Sequence, residues 1–241
     1  MIWPPPPPSG GRGPARRSLP TVPPAAIVFD NDGLLLDTEE AYTRAETTLF
    51  ERHGGVFTFE HKRDLIGSSH TIAAGKLEAM LGLPGHGPQL MVELHELAMA
   101  EARHPIDPRP GAVALVDALR AAGIPVAVAS NSSREFLDRV LRSAGVADRF
   151  EITVAGDEVP RPKPWPDIYL EACRRLGVDP ATSIGVEDSP TGAAAAKAAG
   201  LTVIGVPYLP DMEIPGADIL AGSLADAVVH EACGLVVSSG R

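Results

Sequence analysis

The stretch from Ala25 to Gly33 is the feature that most constrains this chain, because an apolar run stops there at two acids. Residues 25–29 are all apolar, Asp30 and Asp32 follow one residue apart, and Gly33 comes next. Such a run is typical of a buried strand, and glycine lets the backbone turn away from it. Ligands of open α/β sheets bind beyond the carboxyl ends of the strands, so the two carboxylates are predicted to lie at a functional edge. Taken alone, the stretch also fits a turn rich in Asp and Asn.

From Pro110 onward the sequence alternates between helical and strand patterns. The strand runs are short and apolar, at residues 125–129, 152–155, 183–186 and 201–206. Ser132, with Glu135 three residues later, predicts the N-cap of the helix that follows the first of these runs. Apolar strands that are each followed by a helix indicate a parallel sheet covered on both faces, and the predicted fold class is therefore α/β.

Residues 40–105 interrupt this alternation, because they carry helical patterns and no strand signal. The patterns run at residues 39–53, 60–66, 70–81 and 88–103. We predict that 40–105 form a small all-helical cap domain, inserted after the first strand. Residues 25–39 and 106–241 are then predicted to form the α/β core.

The first 24 residues differ from the rest in composition. Five consecutive prolines, Pro4 to Pro8, are followed by scattered glycine and arginine. This composition is typical of an extended low-complexity tail, so we predict that 1–24 lie outside the fold. A ligand for a proline-binding domain is the functional alternative.

The charge balance and the cysteine content narrow the class of protein. A formal net charge of -10 disfavours nucleic acid as a partner, because such proteins present a basic face. Cys173 and Cys233 have neither metal-type nor disulfide-type spacing, which is typical of free thiols in a reducing cytoplasm. No apolar run is long enough to span a membrane, so a cytoplasmic protein is expected, as a monomer or alternatively a homodimer.

Polar groups follow four of the predicted strands, and parallel strands bring those ends to one edge. They are Asp30 and Asp32, Ser130 and Asn131, Lys163, and Glu187 with Asp188. Two like charges about 4 Å apart repel by roughly 4 kcal/mol at an effective dielectric of 20, so clustered carboxylates need a cation. Mg²⁺ prefers oxygen ligands and often binds one or two carboxylates together with phosphate oxygens. The sequence therefore predicts a magnesium and phosphate site.

The four motifs resemble those of the haloacid dehalogenase superfamily, in the branch with a helical cap that includes sugar-phosphate phosphatases and β-phosphoglucomutase. They read FDNDG, SNS, KPWPDIY and GVEDSPTG, in the family's order, over residues 25 to about 207. The resemblance implies a Rossmann-like three-layer sandwich with a parallel sheet, a helical cap and Mg²⁺. It also implies an aspartyl-phosphate intermediate, with a small phosphorylated metabolite as substrate.

The resemblance also implies a role for each matching residue. Asp30 would be the nucleophile, and Asp32 would protonate the leaving alkoxide and later take a proton from water. Mg²⁺ would bind the Asp30 carboxylate, the Asp32 backbone carbonyl and the Asp188 carboxylate, with Glu187 supporting the metal. The remaining roles are in phosphate binding and charge neutralisation, by Ser130, Asn131 and Lys163.

Two other functions and the role of three cap residues remain open at this point. A mutase of the same branch carries a histidine where this chain has Tyr42 and an arginine in the cap loop, and both departures favour a phosphatase. A non-catalytic phosphate-binding or scaffold protein is disfavoured, because no key position is replaced. Within the cap, Ser68, Ser69 and His70 are predicted to contact the substrate, although Ser69 also fits a helix cap and His70 a solvated side chain.

Overall fold

The structure, a computed structural model, describes residues 23–209 and 211–235. Six strands in this part of the chain form one sheet, in which all pairs are parallel and the order is β3-β2-β1-β4-β5-β6. The strands are β1 (Ile27–Phe29), β2 (Val126–Ser130), β3 (Ile152–Ala155), β4 (Ile184–Glu187), β5 (Thr202–Gly205) and β6 (Ile219–Leu220). The predicted α/β class with a parallel sheet is confirmed, whereas the proline-rich segment lies outside the described residues except for its last two positions.

Nine α-helices accompany the sheet in the described residues. They are α1 (Thr38–Arg52), α2 (Phe59–Leu65), α3 (His70–Leu81), α4 (Gly87–Glu101), α5 (Ala112–Ala121), α6 (Arg134–Ser143), α7 (Asp167–Leu176), α8 (Pro190–Ala198) and α9 (Ala227–Ala232). Among the described helices, none is both long and apolar enough to cross a bilayer.

The sheet is buried on both faces, as its apolar strands require. Successive residues of β1 point to opposite sides, so Ile27 and Phe29 enter one apolar cluster and Val28 enters the other. The first cluster contains side chains of α5, α6 and α9, and the second contains side chains of α7 and α8. Helices therefore cover both faces, and the architecture is a three-layer sandwich.

Helices α1 to α4 follow β1 directly, with no strand between Thr38 and Glu101, a stretch that the structure describes in full. Each of them lies within two residues of its predicted bounds. The chain leaves and re-enters the sheet domain through two neighbouring segments: the Asp37 amide donates to the Asp107 carbonyl at 2.9 Å, and the Arg109 amide donates to the Leu35 carbonyl at 2.9 Å. We call α1 to α4 the helical insertion.

Two local expectations are corrected by the structure. The N-cap of α6 is Ser133, whose hydroxyl accepts a hydrogen bond from the Phe136 amide, and not Ser132. The Ser132 hydroxyl instead donates to Asp32 at 2.9 Å, so a longer-range partner takes the side chain that the local pattern assigned to the cap. In addition, β6 was not predicted, because a strand of two residues carries no readable pattern.

Candidate active site

The topology brings the predicted site residues to one edge of the sheet. Strand β1 lies between β2 and β4, so Asp30 at its carboxyl end has Ser130 on one side and Glu187 on the other. Lys163 reaches the same place from the loop after β3, through a cis Lys163-Pro164 peptide. Residues more than 100 positions apart in the chain are therefore in direct contact there.

Lys163 joins two carboxylates at the centre of the site. Its Nζ lies 2.5 Å from Asp30 Oδ1 and 2.6 Å from Glu187 Oε1, and all three side chains are buried. Burial alone would lower the pKa of Lys163, but the charges of Asp30 and Glu187 raise it above its ordinary value. Tyr169 completes this group, because its hydroxyl donates to Glu187 Oε1 and its ring lies under the ammonium, 5.2 Å from Nζ. The ammonium is thus held in one position.

Three carboxylates meet beside this lysine in an arrangement that suits a divalent cation. Asp30, Glu187 and Asp188 each offer an oxygen, and these oxygens lie within 4.8 Å of one another. Burial raises the pKa of Asp30 to about 8 despite the charge of Lys163. Burial, followed by the charges of Asp30 and Glu187, raises the pKa of Asp188 well above its ordinary value. A single lysine therefore does not neutralise the group, and a hard cation with oxygen ligands fits the donor set.

Gly33 allows Asp188 to reach this position. Its φ is +81°, and a Cβ built on it would lie 2.3 Å from Asp188 Oδ2. Any side chain at residue 33 would thus displace the carboxylate, so glycine is needed both for the turn after β1 and for the close approach of β4.

Asp32 is not part of the cluster of three carboxylates and is held by several donors. Its Oδ2 accepts from the hydroxyls of Ser130 at 2.6 Å and Ser132 at 2.9 Å. Its Oδ1 accepts from the Thr38 hydroxyl at 2.9 Å and from the side-chain amide of Asn31 at 3.1 Å. The sequence reasoning missed Thr38 and Ser132, although a hydroxyl at the first residue of α1 was a readable signal.

Ser130 and Asn131, which are predicted to bind phosphate, also hold other residues of the site in place. Ser130 is fully buried, and its hydroxyl donates to Asp32 while accepting from the Ser132 amide at 3.0 Å. The Asn131 side chain contacts the backbone of Lys163, donating to its carbonyl at 3.2 Å and accepting from its amide at 2.8 Å. In this structure both side chains position Asp32 and Lys163.

A cavity of about 240 Å³ opens between this edge and the helical insertion. From the sheet domain it is lined by Asp30, Asp32, Lys163 and Asp188, among others. Of the residues predicted to contact the substrate, Ser68 and His70 line the cavity and Ser69 does not. Ser69 is the N-cap residue of α3, although its side chain makes no capping hydrogen bond.

A second buried lysine lies behind the part of the cavity lining that the insertion contributes. The Lys62 ammonium forms an ion pair with the Glu39 carboxylate, donates to the Glu39 carbonyl at 3.0 Å and lies 3.6 Å from Glu46 Oε2. Glu39 and Glu46 both line the cavity. The sequence reasoning missed this group, because helical spacing places Glu46 and Lys62 on different helices and no motif links them.

The comparisons with known proteins agree with this geometry. The family model described as haloacid dehalogenase-like hydrolase matches residues 24–200. Hexitol phosphatase B of Escherichia coli strain K12 is 30% identical over 216 residues, covering 87% of this chain and 96% of that protein. Validoxylamine A 7'-phosphate phosphatase of Streptomyces hygroscopicus subsp. limoneus is 29% identical over 201 residues, covering 83% and 93%.

A solved structure extends the likeness to three dimensions. CbbY from Rhodobacter sphaeroides, crystallised in complex with phosphate, superposes with a TM-score of 0.72 at 32% identity, covering 84% of this chain and 96% of that one. The family model matches most of the chain, and the three relatives named here align with this chain over nearly their whole length. This chain therefore belongs to the haloacid dehalogenase-like hydrolases, an enzyme family.

Proposed function

We propose that this protein is a Mg²⁺-dependent phosphatase of a small phosphorylated metabolite, acting through a phosphorylated Asp30. One observation carries the proposal: the buried Asp30 carboxylate is in contact with Lys163 and shares a metal-sized cluster with Asp188 and Glu187. A second carboxylic acid, Asp32, follows two residues later on the same loop. The phosphatase names of two relatives support the same reaction class.

The residues divide the reaction between them. Asp30 attacks phosphorus in line and carries the phosphoryl group, while Lys163 neutralises charge that develops between the two. Asp32 gives a proton to the leaving alkoxide and then accepts one from the attacking water. The hydroxyls of Thr38, Ser130 and Ser132 orient its carboxyl group for both transfers.

Mg²⁺ would be held by Asp30 and Asp188, with the Asp32 backbone carbonyl as a further ligand and Glu187 as support. When bound, it would neutralise phosphate charge and align the phosphoryl group for in-line attack. The raised pKa values of Asp30 and Asp188 support this assignment, since a nearby cation would favour their ionised forms.

We further propose that the helical insertion, which includes most of the predicted cap at residues 40–105, closes over the substrate. It rests on the sheet domain through a hydrogen bond from the Thr191 hydroxyl to the Gly67 carbonyl and an ion pair of 2.7 Å between Arg63 and Asp211. A cover of this kind excludes water from the phosphorylated aspartate and contacts the leaving group.

Replacing the nucleophile is the direct test. Asp30→Asn should lower phosphate release from a panel of phosphate esters by at least about 10³-fold, because an amide cannot form the covalent intermediate. Asp148→Asn, at an exposed position, is the matched control and should leave the rate unchanged. Wild-type release should also stop in EDTA and return with Mg²⁺. Undiminished release by Asp30→Asn would overturn the proposal.

A time course separates the phosphatase from a phosphosugar mutase with the same intermediate. Hydrolysis liberates one inorganic phosphate per ester consumed, whereas a mutase interconverts isomers and liberates little. Tyr42, where the mutases carry histidine, favours hydrolysis. We expect stoichiometric phosphate release from each sugar phosphate that is consumed. Isomer formation without release would support the mutase.

A further inference from the structure

Tyr42 lines the cavity together with Asp32 and Ser132, and the proposed reaction gives it no role. It lies on α1, four residues after Thr38, and residues at this spacing are neighbours on one face of a helix. The Thr38 hydroxyl contacts Asp32, donating to its Oδ1 at 2.9 Å. The same face of α1 therefore carries a second hydroxyl on the side of the cavity where Asp32 lies.

The ring of Tyr42 is held by packing against the sheet domain. Its centroid lies 5.4 Å from that of Phe136, a fully buried residue of α6, and the two ring planes are tilted by 44°. Aromatic rings at this separation attract one another beyond the gain from burying their area. The phenol oxygen lies on the axis about which the ring turns, so rotation of the ring does not move it. Packing of the ring therefore fixes the position of the hydroxyl.

The hydroxyl of Tyr42 is connected to Asp32 through Ser132. Burial and then the charge of Asp32 raise the pKa of Tyr42 above its ordinary value, and a hydrogen bond with the Ser132 side chain opposes them. The Ser132 hydroxyl donates to Asp32 Oδ2 at 2.9 Å. Because the Ser132 proton is used on Asp32, the Tyr42 hydroxyl is the donor in its bond with Ser132. Two hydroxyls in series thus lead to the Asp32 carboxylate.

We propose that Tyr42 is a positioning residue for proton transfer by Asp32, acting through Ser132. The inference rests on the proposed phosphatase function and assigns part of it to the insertion, because α1 supplies the hydroxyl. A serine hydroxyl can rotate to other acceptors, and the bond from Tyr42 keeps its proton directed at Asp32. Asp32 is then held in line with the leaving oxygen, as proton transfer over hydrogen-bond distance requires.

The expected signature of this role is a dependence on the leaving group. An alkoxide is strongly basic and is protonated as it leaves, whereas p-nitrophenolate is weakly basic and leaves without a proton. Poor alignment of Asp32 should therefore lower kcat/KM for an ester of the first kind and not for one of the second. Damage to Asp30, to the phosphate site or to the fold should lower kcat/KM for both esters equally.

Steady-state kinetics on p-nitrobenzyl phosphate and p-nitrophenyl phosphate tests the inference. These esters differ by one methylene, but the first releases an alkoxide and the second a phenolate. Tyr42→Phe should lower kcat/KM for the benzyl ester about 5- to 10-fold, as expected for one lost hydrogen bond, and for the phenyl ester less than about 3-fold. Equal losses on the two esters, or no loss on the benzyl ester, would overturn the inference.

Further variants separate this role from a structural one. Ser132→Ala should show the same dependence on the leaving group, and adding Tyr42→Phe to it should cause no further loss, because Tyr42 acts through Ser132. Losses that multiply in the double variant would contradict the inference. Tyr208→Phe is the matched control, since its hydroxyl bonds Asp37 at 3.2 Å instead, and both esters should be unaffected.

The phosphatase proposal has its own test in the same assay. Asp32→Asn should lower kcat/KM for the benzyl ester by at least about 10²-fold and for the phenyl ester by much less, because the acid itself is lost. Equal losses in Asp32→Asn, or a wild type that releases phosphate from neither ester, would refute the proposed reaction and not the position of Tyr42.

Discussion

Two buried lysines in this protein each lie between two carboxylates, but the two groups differ in how completely they are hydrogen-bonded. Lys163 lies between Asp30 and Glu187 in the sheet domain, and Lys62 lies between Glu39 and Glu46 in the insertion. The first ammonium is within hydrogen-bond distance of both carboxylates, and Tyr169 adds a further donor to Glu187. The second forms a close ion pair with Glu39, whereas Glu46 Oε2 lies 3.6 Å from it and has no hydrogen bond.

The difference lies in how completely each group is hydrogen-bonded. A fully bonded group fixes charges at set positions, which suits stabilisation of a transition state. The Lys62 group is less completely bonded, and Lys62 does not line the cavity beside Asp30. Burial of a lysine between two carboxylates therefore does not by itself mark a residue of the reaction site.

The largest expected effect is on kcat, and it distinguishes a variant of Lys163 from the same variant of Lys62. Lys163→Met and Lys62→Met should each lower the free energy of unfolding by roughly 3–5 kcal/mol, because each leaves buried carboxylates without their cation. Only Lys163→Met should also lower kcat for p-nitrophenyl phosphate, by about 10³-fold, because Lys62 does not reach the reacting atoms. Denaturant titration and saturating kinetics measure the two quantities. A comparable loss of kcat in Lys62→Met would break the comparison.

A second prediction uses the pH dependence of stability. The pKa of Glu46 is raised by burial to about 7 from 4.5, so the unfolded chain loses this proton at lower pH than the folded chain. Ionisation therefore destabilises the fold progressively as pH rises from about 4.5 to 7, by at most roughly 3 kcal/mol. Glu46→Gln removes this penalty, and its stability relative to the wild type should increase over that interval.

Thermal unfolding of the wild type and Glu46→Gln at pH 5, 6, 7 and 8 measures this difference. Glu51→Gln provides the baseline for removing an exposed charge from the same helix. A constant difference between Glu46→Gln and the wild type at all four pH values would show that Glu46 is already ionised in the folded protein at low pH.

The smallest expected effect concerns the extra donor that distinguishes the Lys163 group. Tyr169→Phe removes the hydroxyl that donates to Glu187 but keeps the ring under Lys163. We expect kcat to fall about 10-fold with KM nearly unchanged, since Tyr169 acts through Glu187 and Lys163. Tyr208→Phe, which removes a hydroxyl bonded to Asp37 instead, should change kcat less than 2-fold. Equal effects of the two substitutions would reduce Tyr169 to a structural role.

The sequence predicted the features that depend on periodicity and strand ends. The apolar runs located five of the six strands, and the polar residues that follow them located Asp30, Lys163, Glu187 and Asp188 at one edge. Parallel pairing accounts for this success, because it makes the position along a strand equivalent to a position in space.

The features that were missed depend on contacts between elements that the sequence does not connect. Ser132 matches a local capping pattern, yet its hydroxyl bonds Asp32, 100 positions away. The Glu39, Lys62 and Glu46 group assembles from two helices whose packing angle no periodicity specifies. Groups of this kind become visible only in the folded structure.

The two segments that connect the sheet domain to the insertion, Leu35–Asp37 and Asp107–Arg109, are hydrogen-bonded to each other. This pairing has a consequence for how the substrate range of such a protein can change. Both ends of the insertion are fastened side by side, so its four helices form an excursion from a single point of the sheet domain. Helices between those ends can be exchanged or remodelled while the residues at the strand termini of the sheet keep their places. New substrates would then be acquired through changes in the helical insertion, while the sheet domain stays the same.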